Sequence, residues 1–282
     1  MIDGQGAWAD EARLPLDPHL LRADGCFETA LVVSDHLDPS AVTPSAVDPT
    51  GTSSRVLALE LHLARLSTSL ERLRLFDDTT ALRTTLRNEV ARLLTETPDP
   101  FIDRVLRITV TPGLRLLELR ALPERVHLRR RGLALHPLLE PRRDGLMTRH
   151  KTLAWSVHAS ATRQHPRAAD PSFEGVWLAE DGHVLEGTAT NLFVLQGEEI
   201  ATPPTQRPIL PGTARARVLE ALRELGLEVQ ERDLTVQELV TADAVLATSS
   251  LLLVAPALSY RDQALRQPPS ALIASIIERL RA

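Results

Sequence analysis

The sequence has 282 residues, 43% of them hydrophobic and 24% charged, and a formal net charge of −5. This is room for one large domain or two modest ones, with enough apolar residues to exclude a mostly disordered chain. An acidic balance with aromatic residues at only 3% supplies neither the basic field nor the stacking platforms that binding to nucleic acid or an anionic membrane requires.

Residues 23–34 (ADGCFETALVVS) begin with an Asp24-Gly25 turn and end in β-branched residues, which predicts a strand. Residues 37–54 are rich in Pro, Ser, Thr and Asp and read as a loop. Leu59, Leu63, Leu66, Leu70 and Leu73 then form one stripe at helical spacing. His62 and Arg65, three apart, share a face of that helix. A second helix is expected over 80–94, followed by strands at 105–110 and 114–119 around the Thr111-Pro112-Gly113 turn.

The charged, aperiodic stretch 122–131 reads as a linker, separating a small N-terminal domain (1–121) from a larger C-terminal one (132–282). The arginines at 129–131 and 142–143 read as solvated. Strands are expected at 132–137, 173–179, 184–187 and 191–195, and a helix after Lys151. Pro211-Gly212 introduces a helix over 213–225 with Thr213 as its N-cap and Gly226 beyond its end. Strands near 227–233 and 243–248, an apolar run at 251–258 and a helix over 269–281 complete the pattern, which is α+β.

A single cysteine, Cys26, excludes an internal disulfide and a cysteine zinc site, and reads as a small buried residue. No metal site is expected, since the nine histidines include no close ligating pair. No N-terminal run resembles a signal peptide and no apolar run reaches about 18 residues, so the cytoplasm is the expected compartment, with no membrane partner. Phosphate loops of the GxGxxG or Walker type and a GxSxG elbow are absent.

Lys151 is the only lysine; every other basic position is arginine. An arginine never loses its proton in a protein, whereas a lysine can, and its neutral amine attacks carbonyls. Glu186 ends a strand-like run within GHVLEGTATNLF (182–193). The residues ILPGTAR (209–215) open a helix whose first N–H groups suit an anion, and Thr248 to Ser250 offer three hydroxyls at a strand end. Taken singly, each also fits a plain structural role.

Together, DGCFET (24–29), HLARL (62–66), KTL (151–153), Glu186-Gly187 with NLF (191–193), LPG (210–212) and the run from Ala242-Asp243 through Ser250 to Pro256 resemble the class IV, fold-type IV pyridoxal-phosphate enzymes in order and spacing. That family includes branched-chain and D-amino-acid aminotransferases and 4-amino-4-deoxychorismate lyases. The resemblance implies a two-domain fold and pyridoxal 5'-phosphate as cofactor. It makes Lys151 the Schiff-base lysine and proton carrier, and Glu186 the partner of the pyridine nitrogen. Arg65, the backbone of Thr213 and Ala214, and Ser250 become phosphate ligands, and Trp155 a wall of the cofactor pocket. A homodimer acting on a small-molecule amine is also implied.

The family commonly has threonine where this chain has Ala214. Neither the arginine-bearing turn of many lyases nor the Tyr-Ile-Arg strand of branched-chain enzymes is evident after Val110. The ending Phe27-Glu28-Thr29 resembles the lyase form. By that resemblance the chain converts aminodeoxychorismate into 4-aminobenzoate and pyruvate, a step of folate biosynthesis, with Thr29 assisting proton delivery. The alternatives are a D-amino-acid or branched-chain aminotransferase and, from another class, a cofactor-binding protein without turnover.

Overall fold

The computed structural model describes residues 17–34, 54–97 and 102–282, and among these no helix is long and apolar enough to cross a membrane. The expected loop at 37–54 lies, apart from Ser54, outside the described residues. The chain is mixed α and β, as its pattern implies, and divides into two compact units.

The first unit comprises residues 1–122 and the short segment Lys151–Ala154. Its elements are α1 (Pro18–Leu21), β1 (Cys26–Ser34), β2 (Ser54–Val56), α2 (Leu59–Arg72), α3 (Thr80–Glu96), β3 (Arg104–Thr111) and β4 (Leu114–Ala121). The strands form an antiparallel sheet in the order β2-β1-β3-β4. The leucine stripe of α2 places Leu63, Leu66 and Leu70 against Leu86 and Val90 of α3 and against Leu106, Ile108 and Leu117 of the sheet. Because side chains alternate across a strand, Arg107 and Thr109 lie on the other face. There they pair in register with Thr29 and Phe27 of β1.

Lys151–Ala154 joins this unit by backbone pairing. The Phe27 N–H donates to the Lys151 carbonyl and the Leu153 N–H to that of Gly25, both at 2.9 Å, with Thr152 opposite Cys26. The segment thus lies along the start of β1. Gly25 makes that approach possible, since a Cβ there would sit 2.6 Å from the Val110 carbonyl oxygen and 3.0 Å from Leu153 Cδ1.

The second unit comprises residues 123–150 and 155–282. It contains α4 (Glu124–Arg130), β5 (Leu133–Pro137), a 3-10 turn at Leu146–Arg149, α5 (Ser156–Gln164), β6 (Phe173–Leu178), β7 (Val184–Gly187), β8 (Asn191–Gln196) and β9 (Glu199–Thr202). These are followed by α6 (Thr213–Glu224), β10 (Val229–Glu231), α7 (Val236–Thr241), β11 (Ala244–Ser249), β12 (Leu253–Tyr260), β13 (Gln263–Ala264) and α8 (Ser270–Arg281). The sheet runs β10-β9-β8-β11-β12-β5-β6-β7, with β13 on β12, and mixes parallel and antiparallel pairs. Leu133, Leu135, Leu192, Val194, Val245 and Ala247 are among its fully or nearly fully buried residues.

Residues 124–130, which show no apolar periodicity, are helical: Arg129 and Arg130 anchor α4 through side-chain bonds rather than through a buried stripe. Strand β9 and helix α7 also lie outside the sequence expectations; α7 is set by a capping box between Thr235 and Glu238. Gly25→Ala is expected to lower stability by about 1–3 kcal/mol, the usual cost of overpacking. Urea unfolding of the two forms measures it.

Candidate active site

Three side chains organise the first unit near Lys151. Arg65 donates from Nε to Glu28 Oε1 at 2.8 Å and from Nη2 to Oε2 at 2.6 Å. His62 Nδ1 lies 2.7 Å from the same Oε2. Glu28 is 1% exposed. Burial alone would raise its pKa, but the Arg65 charge and the hydrogen bonds from His62 and Arg65 outweigh it and bring the carboxyl down to about 2. Burial pushes His62 below the ordinary imidazole value against the pull of Glu28, and the charges of Arg65 and Lys151 push the same way. His62 is therefore neutral at pH 7, and its Nδ1–H donates to the carboxylate.

On the opposite face of the sheet, Lys151 Nζ lies 4.7 Å from the centroid of the Phe27 ring. The Arg107 guanidinium lies 3.9 Å from the same centroid, so two cations share one aromatic side chain. Arg107 also faces Glu118 Oε2 at 3.8 Å. Thr29 lies directly across from Arg107 in the β1–β3 register. Arg107 was not singled out from the sequence; only the strand register brings it beside Phe27. Cys26, one residue away, is 1% exposed. Burial, together with the charges of Glu28 and Asp24, pushes its thiol up to about 12, so it is an inert packing residue.

The second unit carries the other sequence-derived cofactor residues, Glu186, Trp155, Thr213, Ala214 and Ser250. Glu186, near the end of β7, is 5% exposed. Its Oε1 pairs with Arg142, and its Oε2 accepts from Asn191 Nδ2 at 3.1 Å and from the Leu210 N–H at 3.0 Å. Arg142 is itself buried, in contrast to its solvated expectation. Its N–H donates to the Leu178 carbonyl at 2.8 Å and its Nη2 to the Thr148 carbonyl at 2.8 Å. Arg143, its neighbour, is exposed as expected. Local charge density cannot separate the two, because the carboxylate that buries Arg142 lies 44 residues away. Arg129 departs from expectation in the same way, pairing with the buried Glu174. Trp155 stacks on His158 at 4.5 Å, and His158 meets Trp177 edge-on.

At the start of α6 the N-cap is Gly212, and Thr213 is the first helical residue. This corrects the expected Thr213 cap: Gly212 holds the extended backbone of a cap residue while Thr213 is already helical, and a Cβ at 212 would run into Asn191 Oδ1. The first backbone bond of the helix runs from the Ala216 N–H to the Gly212 carbonyl at 3.0 Å, so the N–H groups of Thr213, Ala214 and Arg215 are first-turn donors. Thr213 Oγ1 lies 3.1 Å from Ser250 Oγ. Thr248, opposite Asn191 in the β8–β11 register, is 1% exposed, and its hydroxyl has no partner.

Hydroxyls, first-turn N–H groups and an orphaned buried hydroxyl form a set suited to a phosphate ester. A buried carboxylate suits a protonated ring nitrogen. The residues therefore fit pyridoxal phosphate. Among the described residues no group of three or more His, Cys, Asp or Glu could hold a metal ion.

Replacing Glu28 with Gln leaves Arg65 buried without its counter-charge, which should cost about 3–5 kcal/mol at pH 7. A carboxyl depressed in the folded state contributes stability above its unfolded value and loses it as it is protonated. The gap between wild type and Glu28→Gln should therefore close as pH falls from 4.5 to about 2. Urea unfolding across that range measures it.

The sequence matches the family model for class IV amino-transferases over residues 46–260. It is 38% identical over 87 residues to aminodeoxychorismate lyase of Bacillus subtilis, covering 31% of this chain and 30% of that protein. Against branched-chain-amino-acid aminotransferase 6 of Arabidopsis thaliana it is 39% identical over 72 residues, covering 26% and 20%. The matched stretches thus span less than a third of either relative. A hypothetical aminotransferase from Mycobacterium tuberculosis, solved in a PLP-bound form, superposes with a TM-score of 0.78 at 26% identity, over 98% of this chain and 94% of that one. The same protein was also solved with alpha-ketoglutarate and PMP bound. With the family model covering well over half its length and the structural match running nearly end to end, the chain belongs to the class IV aminotransferase family.

Proposed function

We propose that this chain is a pyridoxal-phosphate enzyme that converts aminodeoxychorismate into 4-aminobenzoate and pyruvate, and so serves folate biosynthesis. The observation that carries the reading is the face shared by Lys151, Phe27, Arg107 and Thr29. It combines an amine, a hydroxyl and a cation for a carboxylate on one side of a sheet. The local identity to the Bacillus subtilis lyase supports it further.

In this reading Lys151 would hold the cofactor through its aldehyde, and Glu186 would hold the pyridine nitrogen protonated. The Thr213 and Ala214 N–H groups, the Thr213 and Ser250 hydroxyls and Arg65 hold the phosphate. Arg65 takes this role from the family resemblance, and Thr213 makes good the hydroxyl that Ala214 lacks. Trp155 walls the cofactor pocket. When bound, the cofactor supplies an electron sink for the carbon that bears the substrate's amine.

The protein's own groups do the rest. The Lys151 amine, in its neutral form, takes the proton from the amine-bearing carbon. The ring then becomes aromatic as its enolpyruvyl ether bond breaks, and Lys151 or Thr29 delivers a proton to the departing group. Arg107, stacked on Phe27, anchors a substrate carboxylate. The active form is a cytoplasmic homodimer. Leu139, Leu146, Met147 and Val157, large apolar side chains exposed within a short stretch of the second unit, support an apolar subunit contact.

A second reading, transamination of a D- or branched-chain amino acid, is favoured by the neighbour that was solved with alpha-ketoglutarate and PMP. Lys151, Glu186 and the phosphate ligands keep the same roles in it. The third, a cofactor binder without turnover, has no observation in its favour.

Purified, cofactor-loaded protein given aminodeoxychorismate and no keto acid should release pyruvate and 4-aminobenzoate in equal amounts over many turnovers. A single turnover that resumes only on adding alpha-ketoglutarate would overturn the lyase and establish the transaminase. Lys151→Ala and Lys151→Arg should both abolish turnover, since neither supplies a neutral amine. Arg107→Met should raise KM about 10- to 100-fold, the worth of one charged hydrogen-bonding group.

A further inference from the structure

Helix α4 grips the turn between β11 and β12. Arg130, its last residue, donates from both Nε (3.1 Å) and Nη2 (2.8 Å) to the carbonyl oxygen of Leu251. That turn is held in an unfavourable shape. Ser249 pairs with Leu253 across the hairpin, leaving Ser250, Leu251 and Leu252 as its loop, and Leu253 has φ of +63°. The left-handed residue is the first of β12, directly after that loop, a conformation that favours glycine. A branched leucine in this region is strained, and such conformations persist only where their surroundings over-determine them.

Two sets of bonds do so here. The Leu252 N–H donates to Ser249 Oγ at 3.2 Å, and the Arg130 fork takes the Leu251 carbonyl. What the turn carries is the Ser250 hydroxyl, placed 3.1 Å from Thr213 Oγ1 at the start of α6. Thr248, whose buried hydroxyl has no partner, lies two residues before it.

We propose that Arg130 is a positioning residue for phosphate recognition. By gripping the Leu251 carbonyl it keeps the turn in its left-handed form and aims the Ser250 hydroxyl, beside Thr213, at a phosphate ester. The inference rests on the cofactor reading above and adds to it a residue that touches no part of the cofactor. Through the Leu251 carbonyl Arg130 bears on the turn that carries Ser250, so its effect is expected on the phosphate rather than on the ring or the aldehyde.

Comparison of pyridoxal phosphate with pyridoxal, which lacks the phosphate, isolates that effect. Apoprotein of wild type, Arg130→Met, Arg130→Lys and Ser250→Ala is titrated with each compound, followed by visible absorbance, and its stability is measured by urea unfolding. Wild type should prefer the phosphorylated form. Arg130→Met should lose about ten-fold or more in affinity for pyridoxal phosphate while its affinity for pyridoxal stays within about two-fold. Arg130→Lys, which keeps one charged donor, should fall between.

Equal losses for both compounds, or an unchanged preference, would overturn the proposal. Should Arg130→Met not fold, Arg130→Lys decides by the same ratio. If Ser250→Ala loses the preference and the Arg130 variants keep it, the Arg130 proposal alone fails. A wild type with no preference for the phosphate refutes the phosphate site and Arg130's part in it together.

Discussion

Two backbone hydrogen bonds govern the chemistry of this chain. They run between Phe27 and Lys151 and between Leu153 and Gly25, and they lay a segment from the 150s along the first strand of a unit that otherwise ends at residue 122. A long, flexible side chain is set down at a fixed point on the sheet because its own backbone is paired there. Phe27 then takes the lysine's charge on one ring together with that of Arg107. Gly25 is the enabling residue, small enough for three strands to converge.

Three buried glutamates follow one rule. Glu28, Glu174 and Glu186 are each 5% exposed or less, and each meets an arginine: Arg65, Arg129 and Arg142. Each carboxylate also accepts further hydrogen bonds, from His62, from Ala189 and Thr190, or from Asn191 and Leu210. Such pairs add little net stability against apolar substitutes of the same shape, but losing one partner is costly. They act as fixed points. Glu174 braces the turn between Glu186 and Asn191, so a residue outside the proposed chemistry helps to place Glu186 and the amide that bonds it.

Much of this was legible in the residues. The leucine stripe of α2, the β-branched end of β1 and the Gly226 stop gave their elements directly, because local periodicity and turn chemistry decide them. Lys151 stood out because it is alone of its kind. What could not be read depends on partners distant in sequence. Arg142 looks no different from Arg143 until Glu186 is folded against it, and Arg107 looks like an interruption of an apolar strand until β1 is in register. Helix α4 has no buried stripe, so periodicity misses it; its anchors are Glu174 and the Leu251 carbonyl. The reason residue 212 is glycine, the close approach of Asn191, lies 21 positions earlier.

Cys26 has a practical consequence. It is the chain's one thiol, it lies in the core of the first unit, and its high pKa leaves almost no thiolate at neutral pH. A thiol reagent can therefore modify the folded protein only when that core opens. Its labelling rate is an internal clock for excursions of the first unit, readable without adding a probe and blind to motions of the second.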